Sequence, residues 1–238
     1  MTGPCSRVGP SPSVGRCGGR GPRAVLPPVA IVWPCQLSVD EYLAAGRGVV
    51  VPRPRCPGCA APMRFRSGYA RWVRTGGRCA RIWVRRAECG ACARSHALLP
   101  SFVLVRRLDV VAVIGETIET VVNTGSGVRP IALGLEVPYT TARDWLRRFG
   151  ARAVAWAAAL GAAVVELAGL APRLAIEPAR AVLKALDWAG AAVRARAGPP
   201  TPRRWPLASL ITGGRLLASA TDPPWLMLGD RRLMPPVP

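Results

Sequence analysis

Carboxylates are scarce in this chain: 13 Asp and Glu stand against 33 Lys and Arg in 238 residues, a formal charge of +20. Beyond residue 150 the acids are Glu166, Glu177, Asp187, Asp222 and Asp230, scattered through Ala-rich segments with no β-rich stretch to align them. That distribution excludes a site in which three carboxylates grip two catalytic metal ions, so no enzymatic activity is expected. Lysine is present only as Lys184 and histidine only as His96, which makes the positive charge almost wholly arginine. No cleavable secretory signal opens the chain, and the expectation is a reducing cytoplasm in which cysteines are thiols or metal ligands. The run 153–171 has Glu166 as its one charge, but it is mostly Ala and Gly, which insert weakly into bilayers. A buried or oligomerising helix is expected there, and no membrane span. No motif for a small-molecule substrate stands out.

Among the eight cysteines, two pairs share a spacing that names a chemistry: Cys56-Pro57-Gly58-Cys59 and Cys89-Gly90-Ala91-Cys92. Two Cys-x-x-Cys turns supply the four thiolates of a tetrahedral structural zinc site, with metal–sulfur bonds of about 2.3 Å. A redox pair of the thioredoxin type would stand alone beside a βαβ pattern, which is missing here. Between the pairs, Arg64–Arg74 and Arg78–Glu88 are expected as two strands joined at Thr75-Gly76-Gly77, rich in Phe65, Tyr69, Trp72, Ile82, Trp83 and Val84. Their apolar alternation is imperfect. A zinc ion would close the base of this hairpin, and the module is expected to unfold without it. Cys79 is expected to pack as a small hydrophobe and His96 to lie in a loop, both outside the ligand set. Cys5, Cys17 and Cys35 show no ligand spacing.

Arg53 to Arg94 holds eleven arginines against one acid, Glu88. A codon bias toward arginine would raise its count everywhere, yet would not clear one segment of acids. Guanidinium forks suit bidentate contact with phosphate and guanine. Arg64, Arg66, Arg71, Arg74, Arg81 and Arg85 are therefore candidate phosphate contacts, and double-stranded DNA is the expected partner.

Five regions follow: a Pro/Gly/Arg-rich tail (1–28), an N-terminal strand and helix with the ribbon (29–105), a helix-turn-helix (106–150), an Ala-rich helical region (151–220) and a Pro-rich tail (221–238). In the second region, Val29–Trp33 resembles a strand and Ser38-Val39-Asp40-Glu41 is a capping box for a short helix stopped by Gly46. In the third, Asp109 is expected to cap a helix ending at Asn123-Thr124-Gly125, with Val110, Val113, Ile114, Ile118, Val121 and Val122 inward. Ile131, Ala132, Leu135, Val137, Ala142 and Trp145 then occupy the inward positions of a helix-turn-helix, with Trp145, Leu146 and Phe149 anchoring its second helix. That leaves Tyr139, Thr140, Thr141, Arg143, Arg147 and Arg148 as candidate DNA contacts on the second helix and its rim. Glu136 occupies the turn position usual for glycine, and a three-helix packing unit without DNA contact is the alternative. Helices are expected over 151–171 and 178–197, then a proline-rich linker to Pro206 and a short helix over 207–219. These suit a bundle or a homodimer contact.

From Ile31 to Phe149 the chain resembles a bacterial family of uncharacterised proteins that pair a four-cysteine zinc ribbon with a helix-turn-helix. These are similar to the N-terminal DNA-binding portion of insertion-sequence transposases. The resemblance rests on Ser38-Val39-Asp40-Glu41-Tyr42-Leu43, Pro54-Arg55-Cys56-Pro57-Gly58-Cys59, Arg85-Arg86-Ala87-Glu88-Cys89, Ser95-His96-Ala97-Leu98-Leu99-Pro100 and Thr140-Thr141-Ala142-Arg143-Asp144-Trp145-Leu146-Arg147-Arg148. It implies DNA binding. The expectation is an α+β protein: a four-cysteine zinc ribbon, a trihelical helix-turn-helix unit and Ala-rich C-terminal helices. It would be a transposase-like regulator or a transposase relative lacking the catalytic domain. The alternatives are a zinc-ribbon module that contacts protein or RNA, and an accessory subunit of a transposition enzyme.

Overall fold

The computed structural model of the chain describes residues 30–198 and 202–218; the two tails, with Cys5 and Cys17, lie outside them. The protein is α+β. Its elements run β1 (Ala30–Trp33), α1 (Val39–Ala45), a 3-10 turn (Gly46–Gly48), β2 (Met63–Thr75), β3 (Arg78–Cys89), β4 (Ser95–Pro100), α2 (Val111–Thr124), α3 (Val128–Gly134), α4 (Tyr139–Gly150), α5 (Ala153–Ala168), α6 (Pro178–Ala197) and α7 (Arg204–Ile211). One sheet has the order β1-β4-β3-β2, with β1 parallel to β4 and the other pairs antiparallel. The expected hairpin is therefore part of a larger sheet: the stretch after the second knuckle is strand β4, and it carries His96 buried within it rather than in the expected loop.

The imperfect alternation of the hairpin has a local cause. A β-bulge lies between Phe65 and Ser67, one residue extra on β2 opposite the Ala87–Arg86 step of β3. Such a bulge flips the parity of β2 and sharpens its twist. Near the cysteines the hairpin buries Met63 and, from β3, Ala87 and Cys89; near the turn it buries the opposite face, with Val73, Ile82 and Val84 inaccessible. All of these residues join Trp33, Tyr42 and Phe102 in one core, in which Tyr42 donates to the Trp83 carbonyl at 2.9 Å.

Helix α1 begins with the expected capping box, Ser38 and Glu41 satisfying each other's backbone N–H groups, and Gly46 ends it at φ 52°. Helix α2 begins differently. Val110 is its N-cap and no side chain caps it; Asp109 turns instead to Arg74 of β2, accepting from Nε at 2.6 Å and from the second guanidinium nitrogen at 3.0 Å. A buried carboxylate is well satisfied by a bidentate guanidinium, whose two donors carry the opposite charge. Gly125, in the left-handed region, closes α2 as expected.

Helices α2, α3 and α4 pack as the trihelical unit anticipated from the spacing, with Ala132, Val137, Ala142, Trp145 and Phe149 buried between them. Helices α5 and α6 extend that core, and Leu160, Val164, Val182, Leu186 and Ala189 are buried within the chain itself. No single helix among the described residues is long and apolar enough to cross a membrane.

Helix α7 starts at Arg204, earlier than expected, because Pro206 fits in the first turn where no N–H is needed. It stops at Ile211, and the helix and the turns after it strap the two cores together: Val105 N–H donates to the Gly214 carbonyl at 2.8 Å, Ser209 Oγ to the Val103 carbonyl at 2.8 Å and Trp156 Nε1 to the Leu216 carbonyl at 3.2 Å. Trp205 lies directly over Gly115 of α2, where a Cβ would collide with the indole, and its Nε1 donates to Glu119 at 2.6 Å.

Because the Asp109 side chain is only 3% exposed, removing its partner strands a buried charge. Arg74→Ala is expected to cost about 3–5 kcal/mol in denaturant unfolding, whereas Arg66→Ala, which breaks a surface pair with Glu88, is expected to cost under about 1 kcal/mol.

Candidate metal centre and nucleic-acid interface

The four cysteines of the two pairs converge. All of their sulfurs lie within 4.8 Å of one another, and two contacts join one knuckle to the other: Cys56 to Cys92 at 3.5 Å and Cys59 to Cys89 at 3.4 Å. Bonds of 2.3 Å in a tetrahedron separate sulfurs by about 3.8 Å, so this cage is of the right size for one ion bound by thiolates. Neither His96 nor Cys79 belongs to the group. Cys79 is exposed rather than packed inside, because it sits beside the hairpin turn, opposite Arg74.

Both knuckles have the same backbone. In the first, Cys56 N–H donates to Ala61 and Ala60 N–H returns to Cys56, each at 2.8 Å; in the second, Cys89 N–H donates to Arg94 and Ala93 N–H returns to Cys89, each at 2.9 Å. The residue after the second cysteine is left-handed in both, Ala60 at φ 58° and Ala93 at φ 54°. Gly58 and Gly90 lie inside the pairs, yet the positive φ falls on two alanines. Gly58 N–H points to the Cys56 sulfur at 3.4 Å.

The electrostatics inside the cage are uneven. The Cys92 backbone N–H, opposed by burial and aided by the Cys59 thiol, draws Cys89 down to about 6. Cys59 is drawn down by the Ala61 N–H but driven up to about 12 by sharing its proton with Cys89 and by burial. Backbone donors thus favour the thiolate at Cys89, and the shared proton favours the thiol at Cys59. A divalent ion would displace thiol protons on binding.

The candidate arginines of the ribbon fall into three groups. Arg71 and Arg74 are structural and not phosphate contacts: Arg71 donates to the Leu104 and Arg107 carbonyls at 2.6 and 2.5 Å, and Arg74 holds Asp109. Burial lowers Arg71 below arginine's usual range, and the bond to Asp109 raises Arg74 above it. Arg81 and Arg85 lie over aromatic rings, 5.5 Å from the Trp72 centroid and 5.4 Å from that of Phe65. Arg64 and Arg66 are exposed, the latter bonded to Glu88 at 2.8 Å.

On α4, Tyr139, Thr140, Arg143 and Arg147 are exposed, and Thr141 and Arg148 are half-buried at the rim. The Tyr139 ring is flanked by Arg129 and Arg143, at 5.4 and 5.7 Å. Asp144 accepts from Arg147 and Arg148, both at 2.6 Å, and these bonds hold its carboxyl below the usual range despite partial burial. The acid on this helix is therefore neutralised by its neighbours, and Arg143 projects beside it.

The sequence reading missed how the ribbon meets the trihelical unit. The hairpin turn sits against the turn between α3 and α4: a Cβ on Gly76 would lie 3.1 Å from the Leu135 carbonyl oxygen, and one on Gly77 would strike the Glu136 side chain. Glu136 is left-handed at φ 53°, in the position where glycine is usual. The Gly-Gly pair, read only as a hairpin signal, is also what lets the two turns approach.

A family model described as a domain of unknown function, DUF6431, matches residues 56–129, from the first ligand cysteine into the first turn of α3. No curated protein and no solved structure matches the chain.

A left-handed alanine carries a cost that glycine avoids. Ala60→Gly and Ala93→Gly are each expected to stabilise the protein by about 1 kcal/mol, measured by chemical denaturation with the metal in excess.

Proposed function

We propose that the chain is a DNA-binding protein of the transposase-like kind, organised by one structural zinc ion on Cys56, Cys59, Cys89 and Cys92. The observation that carries this reading is the helix-turn-helix itself: α4 presents Tyr139, Thr140, Arg143 and Arg147 outward on a unit whose inward face is fully packed. In this mode α4 enters the major groove, Arg143 and Thr140 read base edges, and Arg147, Arg148, Arg64 and Arg66 hold phosphates. Four thiolates in a tetrahedral cage favour zinc among the common divalent ions. Two acids of the C-terminal half serve other ends: Glu177 caps α6, and Asp187 pairs with Arg204. Catalysis, if this chain takes part in transposition, would come from another subunit. Val154 and Val165, exposed on the outer side of α5, support a homodimer through the C-terminal helices.

The zinc reading predicts one zinc per chain by native mass measurement, and tetrahedral thiolate bands after cobalt substitution. The ribbon also has an apolar core, so chelation is expected to open residues 54–63 and 88–95 first, seen as fast amide exchange there, while the docked hairpin turn stays protected. A folded protein devoid of metal, with chelators changing nothing, would refute it.

The DNA reading predicts duplex binding that weakens steeply with salt. Arg143→Ala should cost about 1–3 kcal/mol on the selected site and relax preference at one position, whereas Arg64→Ala should weaken all duplexes alike and lower the salt slope by about 1. Equal binding of every sequence by both variants and the parent protein would remove the base-reading role.

A further inference from the structure

A second surface, separate from α4, has the chemistry of a nucleic-acid site. The register of β2 and β3 places Phe65, Gly68, Ala70 and Trp72 on the same face as Ala87, Arg85, Trp83 and Arg81. Rings and guanidiniums interleave along it. Arg85 lies over Phe65, Arg81 over Trp72, and Arg47, from the 3-10 turn after α1, over Trp83 at 4.3 Å from its centroid. Gly68 makes room for this: a Cβ there would come within 2.6 Å of the Trp83 ring. Arg47 is itself anchored, its carbonyl accepting from Arg85 at 3.0 Å.

At the end of the row Trp72 is 55% exposed on the sheet's edge strand. A tryptophan that escapes both cores and keeps a guanidinium on its ring is not explained by packing. The segment around it has Glu88 as its one acid, so the field over this face is positive. The exposed Trp72 indole is flat and of a size on which a nucleotide base can stack. A duplex hides its base faces; an unpaired strand shows them.

We infer that this face of the β2–β3 hairpin is a stacking platform for the unpaired bases of single-stranded DNA, with Trp72 as the leading ring and the interleaved arginines facing the phosphates. The inference stands apart from the duplex reading of α4. Together the two would suit DNA that passes from double to single strand.

The test uses the full zinc-loaded chain and the anisotropy of labelled oligo(dT), an abasic oligonucleotide of equal length and charge, and oligo(U). Stacking on aromatic side chains is worth about 1–3 kcal/mol per base. Oligo(dT) is therefore expected to bind at least about 5-fold tighter than the abasic strand. Trp72→Ala should erase that margin, Trp72→Phe should keep most of it, and Arg143→Ala should leave it unchanged. Circular dichroism of the Trp72 variants checks that the fold is intact, which the exposure of that side chain favours. Equal affinity for oligo(dT) and the abasic strand, or a margin indifferent to Trp72, would overturn the inference. A Trp72-dependent preference for oligo(U) over oligo(dT) would overturn its assignment to DNA. Loss of duplex binding with the oligo(dT) margin retained would count against α4 alone.

Discussion

Four sulfurs held within 4.8 Å of one another impose the constraint on which the rest of the architecture depends. Two chain segments that share no continuous strand must bring their turns into register, which fixes the ends of β2 and β3 and hence the whole hairpin. Once Met63 is opposite Cys89 and the bulge is set at Arg66, every later pairing follows to Thr75 and Arg78. The face that carries Trp72 and the turn that reaches Glu136 are both consequences of that register. A slip of one residue would turn each ring to the other side. The cage therefore governs the position of groups far from it, which the local metal geometry alone would not suggest.

Arginine content by itself overstates the outward positive surface. Arg71, Arg74 and Arg204 are spent on carbonyls and carboxylates inside the protein, and Arg107 donates to Leu217 across the strap. Others are stacked on rings that they help to order. What remains outward, on α4 and on the knuckle end of the hairpin, is a smaller set with defined neighbours. Arginine suits all three tasks because its guanidinium is planar, always charged and weakly hydrated. A lysine in the place of Arg74 could not hold both oxygens of Asp109 in the same way.

Much of this was legible in the residue pattern for a physical reason. The cysteine spacing, the Ser38/Glu41 box and the inward small residues Ala132 and Ala142 are local rules, satisfied within a few positions of chain. The sequence also signalled the left-handed Glu136, because a turn of that kind leaves no other conformation open. What escaped was tertiary. Asp109 has the spacing of a cap, but its partner is Arg74, 35 residues away in sequence. The parallel pairing of β1 with β4 joins segments that no local pattern connects, so His96 looked like a loop residue. Cys79 looked like core because it lies within a strand, yet its neighbours at the turn leave it exposed.

The non-glycine residues in the left-handed region show where the fold accepts strain. Among the described residues these are Ala60, Ala93, Arg106 and Glu136. Two close the metal knuckles, one lies in the turn between the sheet and α2, and one lies between α3 and α4. Each is a junction rather than an element, and each costs about 1 kcal/mol or more relative to glycine. At Glu136 the cost has a visible return, since its side chain covers Gly77 at the hairpin turn and a glycine there would leave that contact empty. The hairpin is thus pressed against the turn that sets the angle of α4. The cysteine cage at one end of the hairpin and the turn before α4 at the other are joined by a single twisted pair of strands, and the strain is concentrated at those junctions.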